Sequence, residues 1–351
     1  MGFFNKKGKI IIQPKINMAT DFYGDYANII QDSIYGFIDK KGRIKLFENY
    51  DKTYFYYGNT GIAKKGKKYG LIDRNGKPIT DFKYIRISNF GFHNFRTIEK
   101  GGLYSILNEK GRELFKIDTT YNIRSYFFRT DSLLQFEKVV KGRKLNGLMN
   151  LKKEIIIEPR YDKLYYVSDK NFYAVAKDGK WGFIDNKGKE AIPIEYDKIG
   201  FHITENLIPV KKGKKWGFIN KNNEIKIPFE YDEAYTFLDG LAFVKKGDFF
   251  GCINTKNKIK IDFKLNPNSY PFFSENLAVY TTKEGKDGFI NKKGKIVIPA
   301  IYDSVLPFLN GLAFVRIGDK FGYINKKGKE IVPIKQKQMW YESEGMIRFA
   351  E

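Results

Sequence analysis

One short phrase recurs ten times along this sequence: an aromatic residue or a substitute, Gly, two apolar residues, Asn or Asp, and a basic turn. A clear copy runs from Trp181 to Lys189. Successive copies are 34, 34, 35, 42, 35, 35, 34, 37 and 34 residues apart. The anchor positions of the ten copies are Gly2, Gly36, Gly70, Ser105, Gly147, Gly182, Gly217, Gly251, Gly288 and Gly322. A fixed period of this size predicts stacked units in which neighbours complete each other's hydrophobic core.

Each repeat contains three short apolar runs separated by turn residues. Examples are residues 241–244, the anchor phrase itself, and residues 295–299. These runs are too short for helices and rich in β-branched and aromatic residues, so they are predicted to be strands. The anchor phrase ends in Asx-x-x-Gly, which is typical of a tight hairpin whose Gly adopts a positive φ. Lys153 replaces this Gly in one repeat, and we expect that turn to be strained.

The predicted fold class is all-β, with about ten three-stranded antiparallel units in an open solenoid-like superhelix. We prefer this arrangement because 34 residues are few for a four-stranded propeller blade, which usually takes about 40–45. A closed propeller-like ring is the alternative. The chain starts at the second strand of a unit and ends, after Gly345, in the first strand of another, so its two ends are complementary. We treat residues 1–351 as a single domain with an irregular unit at 105–146.

Two further features recur in the repeats. A Pro follows the third apolar run, as at Pro193 and Pro228. Because Pro donates no ladder hydrogen bond, this run is predicted either to end at the Pro or to lie at a sheet edge. A Tyr-Asp step comes next, as at Tyr196 and Asp197. We expect its Asp to cap the following turn and its Tyr hydroxyl to find a partner at the boundary between units.

The charge is strongly positive, with 63 Lys and Arg against 40 Asp and Glu and a net charge of +23. Such a field attracts polyanions, but most of the lysines recur at predicted turns, where solvent exposure explains them. We therefore expect a protein partner first, with a polyanion or a polysaccharide as open alternatives. No run of about 18 apolar residues predicts a transmembrane segment. We expect a cytoplasmic protein, or an exported one if the sequence is a fragment of a longer chain.

Residues for catalysis are few. The sequence has two histidines, His93 and His202, and one cysteine, Cys252, in no metal-binding or nucleophile-and-base spacing. It has no phosphate-binding or dinucleotide-binding motif. The sequence therefore predicts no enzyme, no catalytic residue, no metal and no cofactor. A catalytic site at residues 119–131, where they meet acids of an adjoining unit, is the remaining alternative.

The longest interval between anchors holds about seven extra residues, and insertions into repeats commonly form binding loops. This insertion is rich in aromatic and Arg side chains. Its candidate partner-binding residues are Tyr121, Arg124, Tyr126, Phe127, Phe128 and Arg129.

The aromatic residues before the anchor glycines are predicted to pack between repeats, with Gly allowing close backbone approach. The residues in this structural set are Tyr35, Gly36, Tyr69, Gly70, Trp181, Gly182, Trp216, Gly217, Phe250, Gly251, Phe321 and Gly322. An exposed aromatic ladder that stacks on sugars or bases is the alternative. The solvent exposure of Tyr69, Trp181, Trp216 and Phe321 distinguishes the two.

The string from Lys180 to Lys189, the Ile192-Pro193 step, Tyr196-Asp197 and the Leu-Ala-x-Val strand at 241–244 resemble the WG-repeat family of bacterial proteins, also called KWG repeats. The resemblance covers nearly the whole chain, although most copies lack the Trp. It implies an all-β interaction module without catalytic residues. We therefore expect a non-enzymatic scaffold that binds a protein or polyanion along an extended surface. Carbohydrate or cell-envelope binding through an aromatic ladder is the alternative.

Overall fold

The fold is built from β-strands throughout the part of the chain that the structure describes. The structure, a computed structural model, describes residues 1–55, 59–89, 94–98, 103–117, 121–127, 133–167, 172–266 and 272–350. These residues include no helix long and apolar enough to cross a membrane. The all-β prediction is confirmed.

Thirty-eight strands, joined by turns, lie within these described ranges. In chain order they are β1 (Gly2–Asn5), β2 (Ile10–Ile12), β3 (Met18–Ala19), β4 (Tyr26–Gln31), β5 (Ile34–Asp39), β6 (Ile44–Leu46), β7 (Lys52–Phe55), β8 (Thr60–Lys65), β9 (Lys68–Asp73), β10 (Arg86–Asn89), β11 (Asn94–Ile98), β12 (Tyr104–Asn108), β13 (Glu113–Ile117), β14 (Asn122–Phe127), β15 (Leu133–Val140), β16 (Arg143–Asn150), β17 (Ile155–Tyr161), β18 (Lys163–Tyr166), β19 (Phe172–Lys177), β20 (Lys180–Asp185), β21 (Glu190–Tyr196), β22 (Lys198–Ile199), β23 (Ile208–Lys212), β24 (Lys215–Ile219), β25 (Ile225–Tyr231), β26 (Glu233–Ala234), β27 (Leu241–Lys246), β28 (Phe249–Asn254), β29 (Ile259–Leu265), β30 (Leu277–Thr281), β31 (Asp287–Asn291), β32 (Ile296–Tyr302), β33 (Ser304–Val305), β34 (Leu312–Ile317), β35 (Lys320–Asn325), β36 (Glu330–Gln336), β37 (Gln338–Ser343) and β38 (Met346–Ala350).

Hydrogen bonding joins the strands into ten sheets, each holding one anchor position. We number them in anchor order as sheet 1 (β2-β1-β38-β37), sheet 2 (β3 to β6), sheet 3 (β7 to β9), sheet 4 (β10 to β13), sheet 5 (β14 to β17), sheet 6 (β18 to β21), sheet 7 (β22 to β25), sheet 8 (β26 to β29), sheet 9 (β30 to β32) and sheet 10 (β33 to β36).

The predicted three-stranded unit is wrong for most repeats, because in the described residues eight of the ten sheets have four strands. The strand that the sequence pattern misses comes directly after the Tyr-Asp step. It is only two residues long in β3, β22, β26 and β33. Four strands fit into 34 residues because this first strand is so short, so the repeat length does not exclude a blade-like sheet.

The two ends of the chain lie in one sheet, and this corrects the predicted open solenoid. Strand β1 pairs with β2 on one side and, antiparallel, with β38 on the other, so that Phe4 lies opposite Ile347. In an open array β1 would present an unpaired strand edge, which proteins avoid. The predicted open array is therefore wrong, and the alternative, in which the two ends of the chain close in one sheet, is favoured.

The chain forms two compact units, one of residues 1–128, 319–322 and 330–351 and the other of 129–318 and 323–329. Within each unit, successive sheets share a hydrophobic cluster. In the first, the rings of Phe3 in sheet 1 and Phe22, which precedes β4 of sheet 2, lie 5.0 Å apart. In the second, the ring of Phe218 in sheet 7 lies 4.9 Å from that of Phe237, which follows β26 of sheet 8. Neighbouring repeats thus bury each other's apolar faces, as the period predicts.

The anchor glycine is required by a close approach within its own sheet. Trp181 pairs with Tyr196 and Phe183 with Ile192, so β21 bulges opposite Gly182. A Cβ on Gly182 would lie 2.6 Å from the carbonyl oxygen of Ile192. Any side chain here would force the two strands apart.

The hairpin after the anchor phrase has the predicted geometry. The Asp185 Oδ1 atom accepts backbone N–H bonds from Lys187 and Lys189, both at 2.9 Å. Gly188 closes the turn with a φ of 81°. Lys153 adopts a φ of 69° in the equivalent turn, so the predicted strain is present there.

Where a repeat has the Tyr-Asp step, this step can join its sheet to the next, as the Tyr196-Asp197 pair shows. Asp197 Oδ1 accepts a bond from Lys180 Nζ at 2.5 Å, and its Oδ2 accepts the N–H of Gly213 at 2.7 Å. The Tyr196 hydroxyl donates to Asn223 Oδ1 at 2.6 Å. Gly213 and Asn223 lie in the two hairpin turns of sheet 7, so one dipeptide of sheet 6 fixes both.

Replacing Lys153 with Gly should stabilise the protein, because Gly adopts a positive φ without steric cost. We expect Lys153→Gly to raise the free energy of unfolding by about 0.5–1 kcal/mol, after the greater backbone entropy of the unfolded variant is subtracted. Urea denaturation followed by circular dichroism measures the change. Lys152→Gly is the matched control, since Lys152 is not among the residues with positive φ. An equal gain in both variants would contradict this explanation.

Asp197 should make stability depend on pH. The bond from Lys180, followed by that from the Gly213 N–H, lowers the pKa of the Asp197 carboxyl. A lowered pKa adds stability above the unfolded-state value of about 4, and this stability is lost as the pH falls through the folded-state value. Asp197→Asn should therefore melt below wild type at pH 7, with the difference shrinking as the pH falls below the unfolded-state value of about 4.

The control for this measurement is Asp248→Asn. Asp248 is exposed in a hairpin turn and forms no ion pair within the described ranges. We expect this variant to match wild type across the same pH series. A difference between Asp197→Asn and wild type that stays constant from neutral to acidic pH would show that the charge of Asp197 is not the cause.

Candidate functional site

The aromatic residues before the anchor glycines are neither an open ladder nor fully enclosed. Phe250 is buried, with 3% of its surface exposed, whereas the others in the predicted set are half-buried. The half-buried residues are Tyr35, Tyr69, Trp181, Trp216 and Phe321. The anchor glycines of the same set, Gly36, Gly70, Gly182, Gly217, Gly251 and Gly322, are all buried. The solvent exposure of these rings therefore favours neither a buried core nor an exposed ladder. Their role depends on the side chains around them.

The segment chosen from the sequence as a binding loop is a strand over most of its length. Tyr121 is half-buried and directly precedes β14, and Arg124, Tyr126 and Phe127 belong to that strand. Phe128 and Arg129 lie outside the described residues. The partner-binding role of this segment stays a prediction, as does a catalytic site at 119–131, a range that the structure describes only in part.

In sheet 6, aromatic side chains cover the indole of Trp181. The ring of Tyr165, from the first strand of the same sheet, stacks on it at 6.0 Å and 16°. Phe201, which follows β22 of sheet 7, meets it edge-on at 5.4 Å and 77°. Lys163 Nζ lies 5.6 Å from the centre of the indole. Tyr165 and Phe201 remain 44% and 41% exposed, so this three-ring cluster lies at the surface.

The equivalent position in sheet 7 is open. Gly200 stands where sheet 6 has Tyr165, each eighteen residues after the anchor of the preceding repeat, and Thr236 stands where the next repeat would supply a residue like Phe201. No ring from the described residues stacks on Trp216. A recess of about 480 Å³ lies there between sheets 7 and 8. We call it the Trp216 recess; its lining residues are Lys198, Gly200, Pro209, Lys211, Trp216, Asp232, Glu233, Ala234, Tyr235 and Thr236.

Sheet 2 also has a small residue at this position and a smaller opening beside it. Thr20 stands eighteen residues after Gly2, at the position of Tyr165 and Gly200. Beside it lies a pocket of about 270 Å³ that is lined by Tyr35 and by Tyr54 of sheet 3. In sheet 8, by contrast, Tyr235 occupies this position and its ring lies 5.8 Å from that of Phe250. In sheets 2 and 7 a small residue at this position lies beside a pocket, whereas in sheets 6 and 8 a Tyr packs against the aromatic residue before the anchor.

The charged side chains of the Trp216 recess differ in whether they are already paired. Asp232 accepts a bond from Lys215 Nζ at 2.6 Å, and this contact, followed by the Gly247 N–H, lowers the pKa of the Asp232 carboxyl. Glu233 is 3.2 Å from Lys245 Nζ. Neither Lys198 nor Lys211 forms an ion pair with any residue that the structure describes, although the charge of Lys211 is close enough to Asp197 to help lower the pKa of that carboxyl, after the larger effects of Lys180 and the Gly213 N–H. The recess therefore offers aromatic surface together with the ammonium group of Lys198 and the nearby positive charge of Lys211.

The described residues offer little for catalysis or metal binding. They contain no group of three or more His, Cys, Asp and Glu side chains that could hold a metal ion. Cys252 is buried, and burial raises the pKa of its thiol, which disfavours the reactive thiolate. His202 is exposed on the surface, and His93 lies outside the described residues. The Asp232 carboxyl, with its lowered pKa, is ionised at neutral pH and is a poor general acid.

The sequence interpretation did not identify the Trp216 recess, although a signal for it exists. Aligning the repeats by their anchors places Gly200 and Thr236 in positions where the preceding repeat has Tyr165 and Phe201. That these two positions flank one indole follows only from the pairing of strands in adjacent sheets. The sequence therefore shows that the two aromatic residues are missing, but it does not show that both positions lie beside Trp216.

Comparison with solved structures finds similarity to this chain at low sequence identity. A eukaryotic initiation factor is similar with a TM-score of 0.50 and 10% identity, over 84% of this chain and 93% of that one. BamB from Moraxella catarrhalis is similar with a TM-score of 0.33 and 10% identity, over 68% of this chain and 79% of that one. At this identity the likeness to the initiation factor concerns the fold alone. No curated protein is significantly similar in sequence.

The model of a protein family described as the WG containing repeat matches the sequence eight times. The matched residues are 1–33, 35–69, 69–104, 147–181, 181–216, 216–248, 288–321 and 321–350. The two unmatched intervals contain the anchors Ser105 and Gly251 and the insertions that follow them. The resemblance inferred from the repeated motifs is thereby confirmed. Because these matches span most of its length, the chain belongs to the family of WG-repeat proteins.

Proposed function

We propose that this protein is a non-enzymatic repeat scaffold that binds a protein partner, and that the Trp216 recess is one of its contact points. The observation that carries the proposal is an aromatic recess beside two lysines without ion pairs. Trp and Tyr are over-represented among residues that dominate the energy of protein interfaces. A volume of about 480 Å³ is also within the usual range for sites that enclose a ligand group.

Electrostatics favours a partner with acidic character. The chain carries a net charge of +23, and Lys198 and Lys211 add local positive charge at the recess. Complementary charge accelerates association and favours the correct partner over others. A polyanion held only by this field would dissociate as salt is raised, whereas contacts with Trp216 and Tyr235 depend much less on salt. Salt dependence therefore separates these two classes of partner.

A polysaccharide is the second candidate. The half-buried indole of Trp216 lies near the carboxylates of Asp232 and Glu233, and such a combination of a flat apolar surface with polar groups also suits a sugar ring. The acids are already engaged by Lys215 and Lys245, so they would accept sugar hydroxyl groups only in addition to these bonds. This is why we place the sugar second.

Site-specific photocrosslinking tests the proposal. We expect p-benzoylphenylalanine in place of Tyr235, which is 38% exposed, to give a discrete protein adduct when the protein is irradiated in extracts of its source cells. The adduct should persist at about 0.5 M salt, where exposed charge pairs are largely screened. The matched control places the same residue at Ile225, which is 60% exposed on the edge strand β25 of sheet 7 and does not line the recess.

The possible outcomes distinguish the candidates. A nuclease-sensitive adduct, or one that forms only at low salt, would replace the protein partner with a polyanion. An adduct removed by glycan-degrading enzymes would favour the polysaccharide. Equal labelling from positions 235 and 225, or no adduct from position 235, would contradict partner binding at the recess.

A further inference from the structure

The repeats themselves show what fits against the indole in the Trp216 recess. Sheets 6 and 7 have the same strand order, and Trp181 and Trp216 directly precede equivalent anchor glycines. In sheet 6 the chain fills the space around the indole with the rings of Tyr165 and Phe201, which are 5.3 Å apart. Sheet 6 is therefore an internal template for an occupied site, and sheet 7 has the same site without its occupant.

The ring at position 200 is absent for a steric reason. A Cβ on Gly200 would lie 2.6 Å from Cγ of Pro209, and the Gly200 N–H donates to the Pro209 carbonyl at 2.8 Å. In sheet 6, Ala174 pairs with Tyr165 at the corresponding place. Pro209 and Gly200 therefore fit each other and keep the chain from filling its own recess.

We propose that the Trp216 recess receives two aromatic side chains from one extended, acidic segment of the protein partner. Alternate residues of an extended segment project to the same side about 6.8 Å apart, close to the 5.3 Å between the Tyr165 and Phe201 rings. One segment of the form aromatic-x-aromatic can thus supply both rings. This inference rests on the proposed function and specifies the chemistry of the partner.

The positive charge at the recess favours acidic residues on either side of the two aromatic residues in the partner segment. Lys198 corresponds to Lys163 of sheet 6, whose ammonium group lies over Trp181. No cation from the described residues lies over Trp216 in this way. Lys198 is therefore available to a carboxylate beside the inserted rings, with Lys211 adding positive charge nearby, and charge-assisted bonds of this kind are stronger than neutral ones.

The probe for this inference is the synthetic peptide acetyl-Glu-Tyr-Glu-Tyr-Glu-amide, with acetyl-Glu-Leu-Glu-Leu-Glu-amide as its control. The protein has three tryptophans, so proton–nitrogen NMR resolves three indole N–H signals. We expect the tyrosine peptide to shift the Trp216 signal with a Kd below about 1 mM. The Trp181 signal should stay in place, since Tyr165 and Phe201 already cover that indole.

Filling the recess from within should abolish this binding. Thr236→Phe supplies the counterpart of Phe201, and the double variant Gly200→Tyr with Pro209→Ala reproduces the Tyr165 and Ala174 pair. We expect each to weaken peptide binding at least tenfold, while Thr236→Val, which adds little volume, binds as wild type does. A thermal melt within a few degrees of wild type confirms that each variant is folded, and Thr236→Phe stands alone if the double variant is not.

The inference is overturned by any of three results. These are no shift of the Trp216 signal at about 1 mM tyrosine peptide, an equal shift with the leucine peptide, or undiminished binding by the folded Thr236→Phe variant. Failure of the proposed function gives a different pattern, in which no protein crosslinks at position 235 at all. If a protein still crosslinks there while the peptide does not bind, the scaffold function stands and the aromatic occupant is wrong.

Discussion

Mutual burial between consecutive sheets is the constraint on which the rest of this structure depends. A unit of 34 residues cannot enclose an apolar core, so the sheets that carry Phe218 and Phe237 are stable only against each other. The Tyr-Asp step adds directed bonds to this non-directional attraction. Tyr196 and Asp197 reach into both hairpins of the next sheet and fix its orientation. An array built on such contacts needs a neighbour on each side, and the pairing of β1 with β38 provides it where the chain ends.

Local physics explains how far the sequence could predict this fold. The hairpin after the anchor phrase can be predicted from the sequence because the turn itself requires a positive φ, as at Gly188 and Lys153. The first strand was missed because two residues, such as Lys198 and Ile199, show no alternation of apolar and polar side chains. The predicted open array is wrong because the Phe4 and Ile347 pair joins the two ends of the chain, and no local pattern encodes this pairing.

The candidate site could be predicted less well than the fold, for a physical reason. Composition drew attention to the segment containing Tyr121 and Arg124, since aromatic and Arg side chains are common in interfaces. The recess instead depends on an omission: Gly200 and Thr236 lack the rings that the preceding repeat supplies. An absent side chain becomes a site only when two adjacent sheets present the gap to one surface, which is a property of their packing and not of either residue.

The stabilising free energy that sheet 7 loses through the missing rings supports a binding role for the Trp216 recess. Stacked and edge-on aromatic pairs contribute about 0.5–1.5 kcal/mol beyond the burial of their surface, and sheet 7 forgoes two such contacts that sheet 6 makes at Trp181. Local departures of this kind from an otherwise consistent pattern are expected at functional positions. Because each repeat contacts only its neighbours, the gap weakens one junction without disturbing the others. The stabilisation that sheet 7 lacks in the free protein is then available to a ligand whose rings complete the cluster around Trp216.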